Sequence, residues 1–142
     1  MLVIDGRDTI LGRLASFVAK KLLEGESVTI VNAEHVVVSG KREKIIEIYR
    51  GWMQTRNIAN PRKGPFHHRN PDALVRMAVR GMLPYDRHRG REAFRRLRVY
   101  TGIPEEMSGM ETAHVPVAKI DSLGTRRYIR VGEISRFLGG KS

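Results

Sequence analysis

The chain has 142 residues and a mass of 16.1 kDa, which is enough for one compact domain with a core and too little for two ordinary domains. Its 41% of apolar residues argue against a disordered chain, and the absence of cysteine excludes disulfide scaffolds, thiol catalysis and cysteine-containing zinc sites. The 26 lysines and arginines exceed the 15 acids and give a formal net charge of +11, which favours a polyanionic partner, either a nucleic acid or an anionic membrane surface.

The N-terminal part of the chain predicts a strand, a helix and a second strand. Met1–Asp5 is apolar enough for a buried strand, a helical period of apolar residues runs from Leu11 to Leu22, and Val28–Val31 is rich in β-branched residues. The combined length is that of a parallel crossover unit. A third strand, Val36–Val38, follows after only four residues, which are too few for a helical crossover, so its pairing direction stays open.

The middle of the chain predicts two helices separated by a loop. The helix after Gly40 carries an apolar stripe that we interpret as core, formed by Ile45, Ile46, Tyr49, Trp52 and Met53. Residues 57–70 are polar and punctuated by proline and glycine, which is typical of a functional loop. Asn70 and Pro71 then suit the N-cap and the first position of a third helix. The predicted core stripe of this third helix is Leu74, Val75, Ala78 and Met82.

The C-terminal part predicts two further helices and one strand. A helix begins near Arg89 with Phe94 facing the core, and Leu97–Tyr100 is interpreted as the final strand. Residues 101–125 show no regular pattern. A last short helix is predicted over Val131–Leu138, and the two glycines after it end the helix.

Nearly all of the net charge lies in residues 50–100, which we term the basic block. The block holds 13 basic and 3 acidic residues, a net charge of +10, whereas the rest of the chain has 13 basic and 12 acidic residues. Twelve of its 13 basic residues are arginine, whose planar guanidinium grips phosphate through two hydrogen bonds and stacks on bases. A solubilising surface would interleave acids with bases, so the block predicts phosphate binding.

Motifs for enzymatic chemistry fail on their spacing. Gly6 and Gly12 are separated by one residue too many for a nucleoside-triphosphate loop, and Arg13 stands where that loop needs a lysine. The adjacent His67 and His68 lack the spacing of a zinc pair, and no catalytic triad or carboxylate pair stands out. We therefore predict no enzymatic activity, no metal and no cofactor, although a helix that starts near Gly12 can attract phosphate through its backbone amides.

A membrane or secretory protein is not indicated. No apolar run approaches the roughly 18 residues of a spanning helix, and the first residues lack a basic stretch and meet an acid at Asp5, unlike a secretory signal. A membrane surface is also disfavoured, because the arginine-bearing helices have apolar faces suited to a protein core. We expect a soluble, intracellular single domain over residues 1–142.

Six short motifs occur in a fixed order along the chain. They are Leu-Gly-Arg-Leu-Ala at 11–15, Val-Asn-Ala at 31–33, Gly-Pro-Phe-His-His-Arg-Asn-Pro at 64–71, Gly-Met-Leu-Pro at 81–84, Gly-Arg at 90–91, and Ala-Phe-x-x-Leu-x-Val-Tyr at 93–100. Together they resemble the universal large-subunit ribosomal protein family numbered thirteen. Their shared order makes the resemblance specific, and it is weakest from 104 to 125. The resemblance fits an archaeal-type member, because a bacterial N-terminal extension and the long basic C-terminal helix of eukaryotic members are missing.

The resemblance implies a three-layer α/β/α sandwich that has a mainly parallel four-stranded sheet in the order 3-2-1-4 and a long basic loop. It also implies a cytoplasmic, non-catalytic constituent of the large ribosomal subunit, which supports assembly and translation. The implied partners are large-subunit ribosomal RNA and neighbouring ribosomal proteins, with no membrane and no small-molecule substrate. The predicted RNA contacts are Arg13, Arg56, Arg62, Lys63, His67, His68, Arg69, Arg76, Arg80, Arg87, Arg89, Arg91 and Arg95.

Two other functions stay open at this point. A nucleotide-binding α/β enzyme would have a pocket with converging polar groups at the carboxyl ends of its strands and would bind a mononucleotide. A regulator of messenger RNA or DNA would bind a short duplex or hairpin tightly. A ribosomal protein would instead sediment with large subunits and have little affinity for mononucleotides.

Overall fold

The computed structural model describes residues 1–54, 59, 68–115, 118–120 and 127–140. Within them the chain is an α/β protein, as the sequence predicts, and none of these helices is long and apolar enough to cross a membrane. The strands are β1 (Leu2–Asp5), β2 (Val28–Val31), β3 (Val37–Ser39), β4 (Leu97–Val99) and β5 (Tyr128–Arg130). The helices are α1 (Leu11–Leu23), α2 (Arg42–Gln54), α3 (Pro71–Arg80), α4 (His88–Arg95) and α5 (Val131–Phe137).

The predicted N-terminal crossover unit is confirmed. β1 and β2 pair in parallel, from Leu2 opposite Val28 to Asp5 opposite Val31, and α1 forms the connection between them. All four residues of β2 are buried, because β2 is the central strand and also pairs in parallel with β4. Its β-branched composition suits a strand that is covered on both faces.

The strand order differs from the one that the resemblance implies. An order of 3-2-1-4 places β1 beside β4, but β2 lies between these two strands. β3 leaves this sheet and pairs antiparallel with β5, with Val37 opposite Arg130, so Leu97–Tyr100 is not the final strand. β3 does not become a parallel neighbour of β2 because the connection between them is too short. Asn32 has a φ of 57° and a 3-10 turn follows at once, whereas a parallel neighbour needs a crossover of about a dozen residues or more. A single four-stranded sheet within three layers is therefore not confirmed.

The predicted stripes of α1 and α4 pack into one core with α3, whose buried residues include Val75 and Val79, while Leu74 and Ala78 of its predicted stripe are half-buried. α1 lies against both α3 and α4, and α3 also contacts β4. This packing forces the basic side chains of α3 and α4 onto the opposite, exposed faces of the two helices. The buried residues of the three helices include Leu14, Val18, Leu22, Val75, Val79, Ala93 and Phe94.

Two residues that the sequence assigns to the core are exposed. Trp52 is 59% exposed and Met82 is 45% exposed. α2 buries Ile45 and Ile46 where it packs on α5, whereas the ring of Trp52 lies outside the core and contacts the ring of Tyr49, with the centroids 4.8 Å apart. Met82 lies in the turn after α3, and in this turn Leu83, not Met82, is the buried residue.

Gly90 lies where α4 passes very close to the turn before it. A Cβ built on Gly90 meets the carbonyl oxygen of Pro84, so Gly90→Ala should push α4 away from the turn and lower the free energy of unfolding by about 1–3 kcal/mol. Thermal melting of the free protein measures this loss. Gly12→Ala is the control, because a Cβ at Gly12 meets nothing within 4 Å, and an equal effect of both changes would contradict the close packing at Gly90.

Candidate nucleic-acid interface

The arginine-bearing flank of α3 contacts two aromatic rings, Phe94 on α4 and Tyr85 in the turn before α4. The guanidinium of Arg76 lies over the ring of Phe94, 4.4 Å from its centroid, and that of Arg80 lies over the ring of Tyr85 at 4.1 Å. The two rings meet edge to face, with their centroids 5.6 Å apart. We term these four residues the arginine–aromatic cluster. A guanidinium that stacks on a ring keeps its N–H donors in its own plane, where they can reach phosphate oxygens.

The outer face of α4 carries the second predicted group of basic residues. Arg87, Arg89 and Arg91 are exposed, and in the described part of the chain their side chains form no ion pair. Arg95 differs, because its Nη1 donates to Oε1 of Glu92 at 2.7 Å. Both side chains of this pair are accessible to water, so the pair stabilises the fold by only about 0–1 kcal/mol. Arg95 can therefore exchange Glu92 for a phosphate at little cost.

The end of the basic loop is attached to the C-terminal helix. The buried hydroxyl of Ser135 on α5 donates a hydrogen bond to the carbonyl oxygen of Arg69 at 2.6 Å. The chain after α5 also passes close to the same peptide group, because a Cβ built on Gly140 would meet the carbonyl oxygen of Arg69. α5 thus fixes the position of the backbone just before α3 begins.

The remaining predicted contact residues are not part of the arginine–aromatic cluster. Arg13 is exposed in the first turn of α1. His68 lies before α3 and lines a groove between α3 and β4. Four predicted residues lie outside the described part of the chain: Arg56, Arg62, Lys63 and His67.

Arg98 and Tyr100 are candidate residues that the sequence reasoning missed. They line a groove of about 290 Å³ between α3 and β4, together with Arg76 and His68. The signal in the sequence is the alternation of β4, in which Arg98 follows a buried residue and faces outward. Arg96 belongs to the same basic block but has a structural role, because its Nη2 donates to a carbonyl oxygen of α1 at 2.6 Å.

Polar groups at the carboxyl ends of the parallel strands bond to one another. Oδ1 of Asp5 accepts hydrogen bonds at 3.0 Å from the Asn32 side chain and from the Arg7 N–H, and Oε2 of Glu34 accepts one at 2.9 Å from the Gly102 N–H. Burial raises the pKa of the Asp5 carboxyl, but the two hydrogen bonds, together with the positive charges of Arg7 and Lys119, outweigh this effect and hold the pKa below its usual value. These groups connect the loops at this edge of the sheet. Among the described residues no group of three possible ligands could hold a metal.

Comparison with known proteins identifies relatives along nearly the whole chain. The family described as Ribosomal protein L13 matches residues 1–106. The large ribosomal subunit protein uL13 of Methanopyrus kandleri is 45% identical over 139 residues, covering 96% of this chain and 86% of the relative. Proteins of the same name from Methanocaldococcus jannaschii and Methanococcoides burtonii are each 46% identical, and each match covers 99% of both chains. The chain therefore belongs to the ribosomal protein L13 family.

Proposed function

We propose that this chain binds and stabilises folded large-subunit ribosomal RNA through the arginine-rich face of α3 and α4 and the basic loop before them. The family is a structural component of the ribosome and not an enzyme, and the relatives are archaeal proteins of the large ribosomal subunit. The observation that carries the RNA proposal is the net charge of +10 in residues 50–100, because the arginines that this block places on α3 and α4 lie on the exposed faces of the two helices.

The proposed interface combines the basic loop, α3 and α4, with Arg13 on α1 as a further contact. It includes all the RNA contacts that the sequence predicts, whether or not they lie in the described part of the chain. One domain over residues 1–142 presents this interface in the cytoplasmic ribosome, where neighbouring ribosomal proteins are further partners. The full set is Arg13, Arg56, Arg62, Lys63, His67, His68, Arg69, Arg76, Arg80, Arg87, Arg89, Arg91 and Arg95.

The physical basis of binding is the neutralisation of phosphates. Side chains cannot read the deep, narrow major groove of an RNA duplex, so proteins recognise its backbone shape, its 2′-hydroxyls and its unpaired bases. Arginines that bridge phosphates of different RNA segments reduce the repulsion between them and release counterions. Stacking on Phe94 and Tyr85 holds Arg76 and Arg80 in place, so these side chains lose less conformational entropy when they bind.

Sedimentation and salt dependence test this function. The chain should sediment with large subunits in a sucrose gradient. The affinity of the free protein for large-subunit RNA should fall linearly with salt on logarithmic axes, with a slope of about −0.9 for each phosphate that it neutralises in a duplex. A nearly salt-independent affinity would contradict phosphate binding. Tight binding to one messenger RNA or DNA hairpin, without sedimentation with subunits, would favour a regulator instead.

A further inference from the structure

We propose that the groove between α3 and β4 binds one unpaired guanine base of the ribosomal RNA. This inference rests on the proposed function and adds a base-reading site to a surface otherwise explained by phosphate contacts. The groove has a volume of about 290 Å³ and is lined by His68, Asp72, Arg76, Arg98 and Tyr100, among others. Pockets for drug-sized ligands measure about 300–1,000 Å³, so this groove has room for a single base with its sugar and not for a base pair.

Hydrogen-bond donors and a hydrogen-bond acceptor line the groove without pairing with each other. Asp72 and Arg76 are one helical turn apart, so they lie on the same side of α3. In the described part of the chain, the side chains of Asp72 and Arg98 form no hydrogen bond or ion pair, and the guanidinium of Arg76 only stacks on the ring of Phe94. One carboxylate and two guanidinium groups are therefore available to the same ligand.

This mixture of charges favours a base over a phosphate group. A phosphate would be attracted by Arg76 and Arg98 but repelled by Asp72. A base, in contrast, can donate hydrogen bonds to the carboxylate and accept hydrogen bonds from the guanidinium groups. Guanine presents two adjacent donors, N1–H and the N2 amino group, which match the two oxygens of the Asp72 carboxylate. Its O6 and N7 acceptors match a guanidinium, which is the commonest specific contact of arginine with a base. Adenine, cytosine and uracil do not present two adjacent donors to a carboxylate.

An aromatic ring completes the groove. Tyr100 is 36% exposed, and its backbone N–H donates to the carbonyl oxygen of Ile30 at 2.8 Å, which fixes the residue at the end of β4. Unpaired RNA bases commonly stack on such rings. His68 lines the same groove and adds an imidazole ring to its wall.

The test uses the full chain and short RNA oligomers of uridine that carry one central guanosine, inosine, adenosine or uridine. Binding is measured at raised salt, where the phosphate contribution is small and equal for all four oligomers. The guanosine oligomer should bind about tenfold more tightly than those with adenosine or uridine, which corresponds to a single good base contact. Inosine lacks the N2 amino group, so its oligomer should lie in between.

Asp72→Asn should abolish the preference for guanosine, because an amide cannot accept two adjacent hydrogen bonds from the base. Asp86→Asn is the matched control: it removes the same charge from an exposed residue that does not line the groove, and it should keep the preference. Thermal melting checks that both variants fold. If Asp72→Asn fails to fold, Arg98→Gln replaces it and should also reduce the preference.

Two outcomes would overturn this inference. They are equal binding of all four oligomers and a guanosine preference that survives Asp72→Asn. In each of these cases a steep salt dependence with large-subunit RNA would leave the proposed function intact. A salt-independent affinity would contradict the proposed function itself, so the two failures are distinguishable.

Discussion

Replacing Phe94 by alanine should lower the free energy of unfolding by about 3–5 kcal/mol. Phe94 is 8% exposed and belongs to the core that α1, α3 and α4 share. Its ring also meets the ring of Tyr85 edge to face and lies under the guanidinium of Arg76. Truncation removes these contacts and leaves a cavity. Thermal melting of the free protein should show a fall of roughly 2–4 °C for each kcal/mol in a chain near this size.

Phe94→Leu is the matched variant that separates volume from ring contacts. Leucine fills most of the space, so the loss should be smaller than with alanine. The remaining decrease in the free energy of unfolding comes from losing the ring pair with Tyr85, about 0.5–1.5 kcal/mol, and from losing the stack with Arg76. Both variants should also weaken RNA binding, because Arg76 loses the surface that holds it. A normal melting temperature for Phe94→Ala would show that Phe94 is not part of the core.

Elements whose burial follows a regular period could be predicted from the sequence. The apolar period of α1 and the β-branched run of β2 gave the first crossover unit correctly, because each pattern reports which face of its own element is covered. Asn70 and Pro71 marked the start of α3 correctly for the same local reason. The arginines of α3 and α4 could be assigned to exposed faces, since the core stripes occupy the opposite sides.

Features that depend on distant partners could not be predicted. β3 pairs with β5, which lies about ninety residues further along the chain, and the three residues of β5 are too short to show an alternating pattern. Trp52 continues the apolar stripe of α2, but only Ile45 and Ile46 of that stripe are buried, so the stripe alone overestimates the burial of Trp52. The sequence predicts that Phe94 belongs to the core, but its second role as a support for Arg76 follows only from how α3 and α4 cross.

The same limit applies to the groove that we assign to guanine. Asp72 and Arg76 are neighbours on one helix and could be paired from the sequence alone. Arg98 and Tyr100 join them only because β4 lies beside α3. A base-reading site of this kind therefore becomes visible only when the strand is placed against the helix.

Changing Arg87, Arg89 and Arg91 together to glutamine should weaken binding to large-subunit RNA and leave the fold intact. These side chains are exposed, and in the described part of the chain they form no ion pair. Each substitution should therefore change the free energy of unfolding by no more than about 0.5 kcal/mol. Each lost phosphate contact should reduce the slope of log affinity against log salt by about one unit. Melting of the free protein and RNA binding across a salt series measure the two effects.

A second triple variant, Lys20→Gln with Lys41→Gln and Lys44→Gln, removes the same charge from exposed residues outside the basic block. If the position of the charge matters, this variant should keep nearly the full salt slope, because the lost cations do not touch RNA. Equal weakening by both triple variants would mean that the overall charge of the protein, and not the face of α4, attracts the RNA. If only the change of Arg62, Lys63 and Arg69 to serine weakened binding, the interface would lie on the basic loop, with α4 a solvated surface beside it.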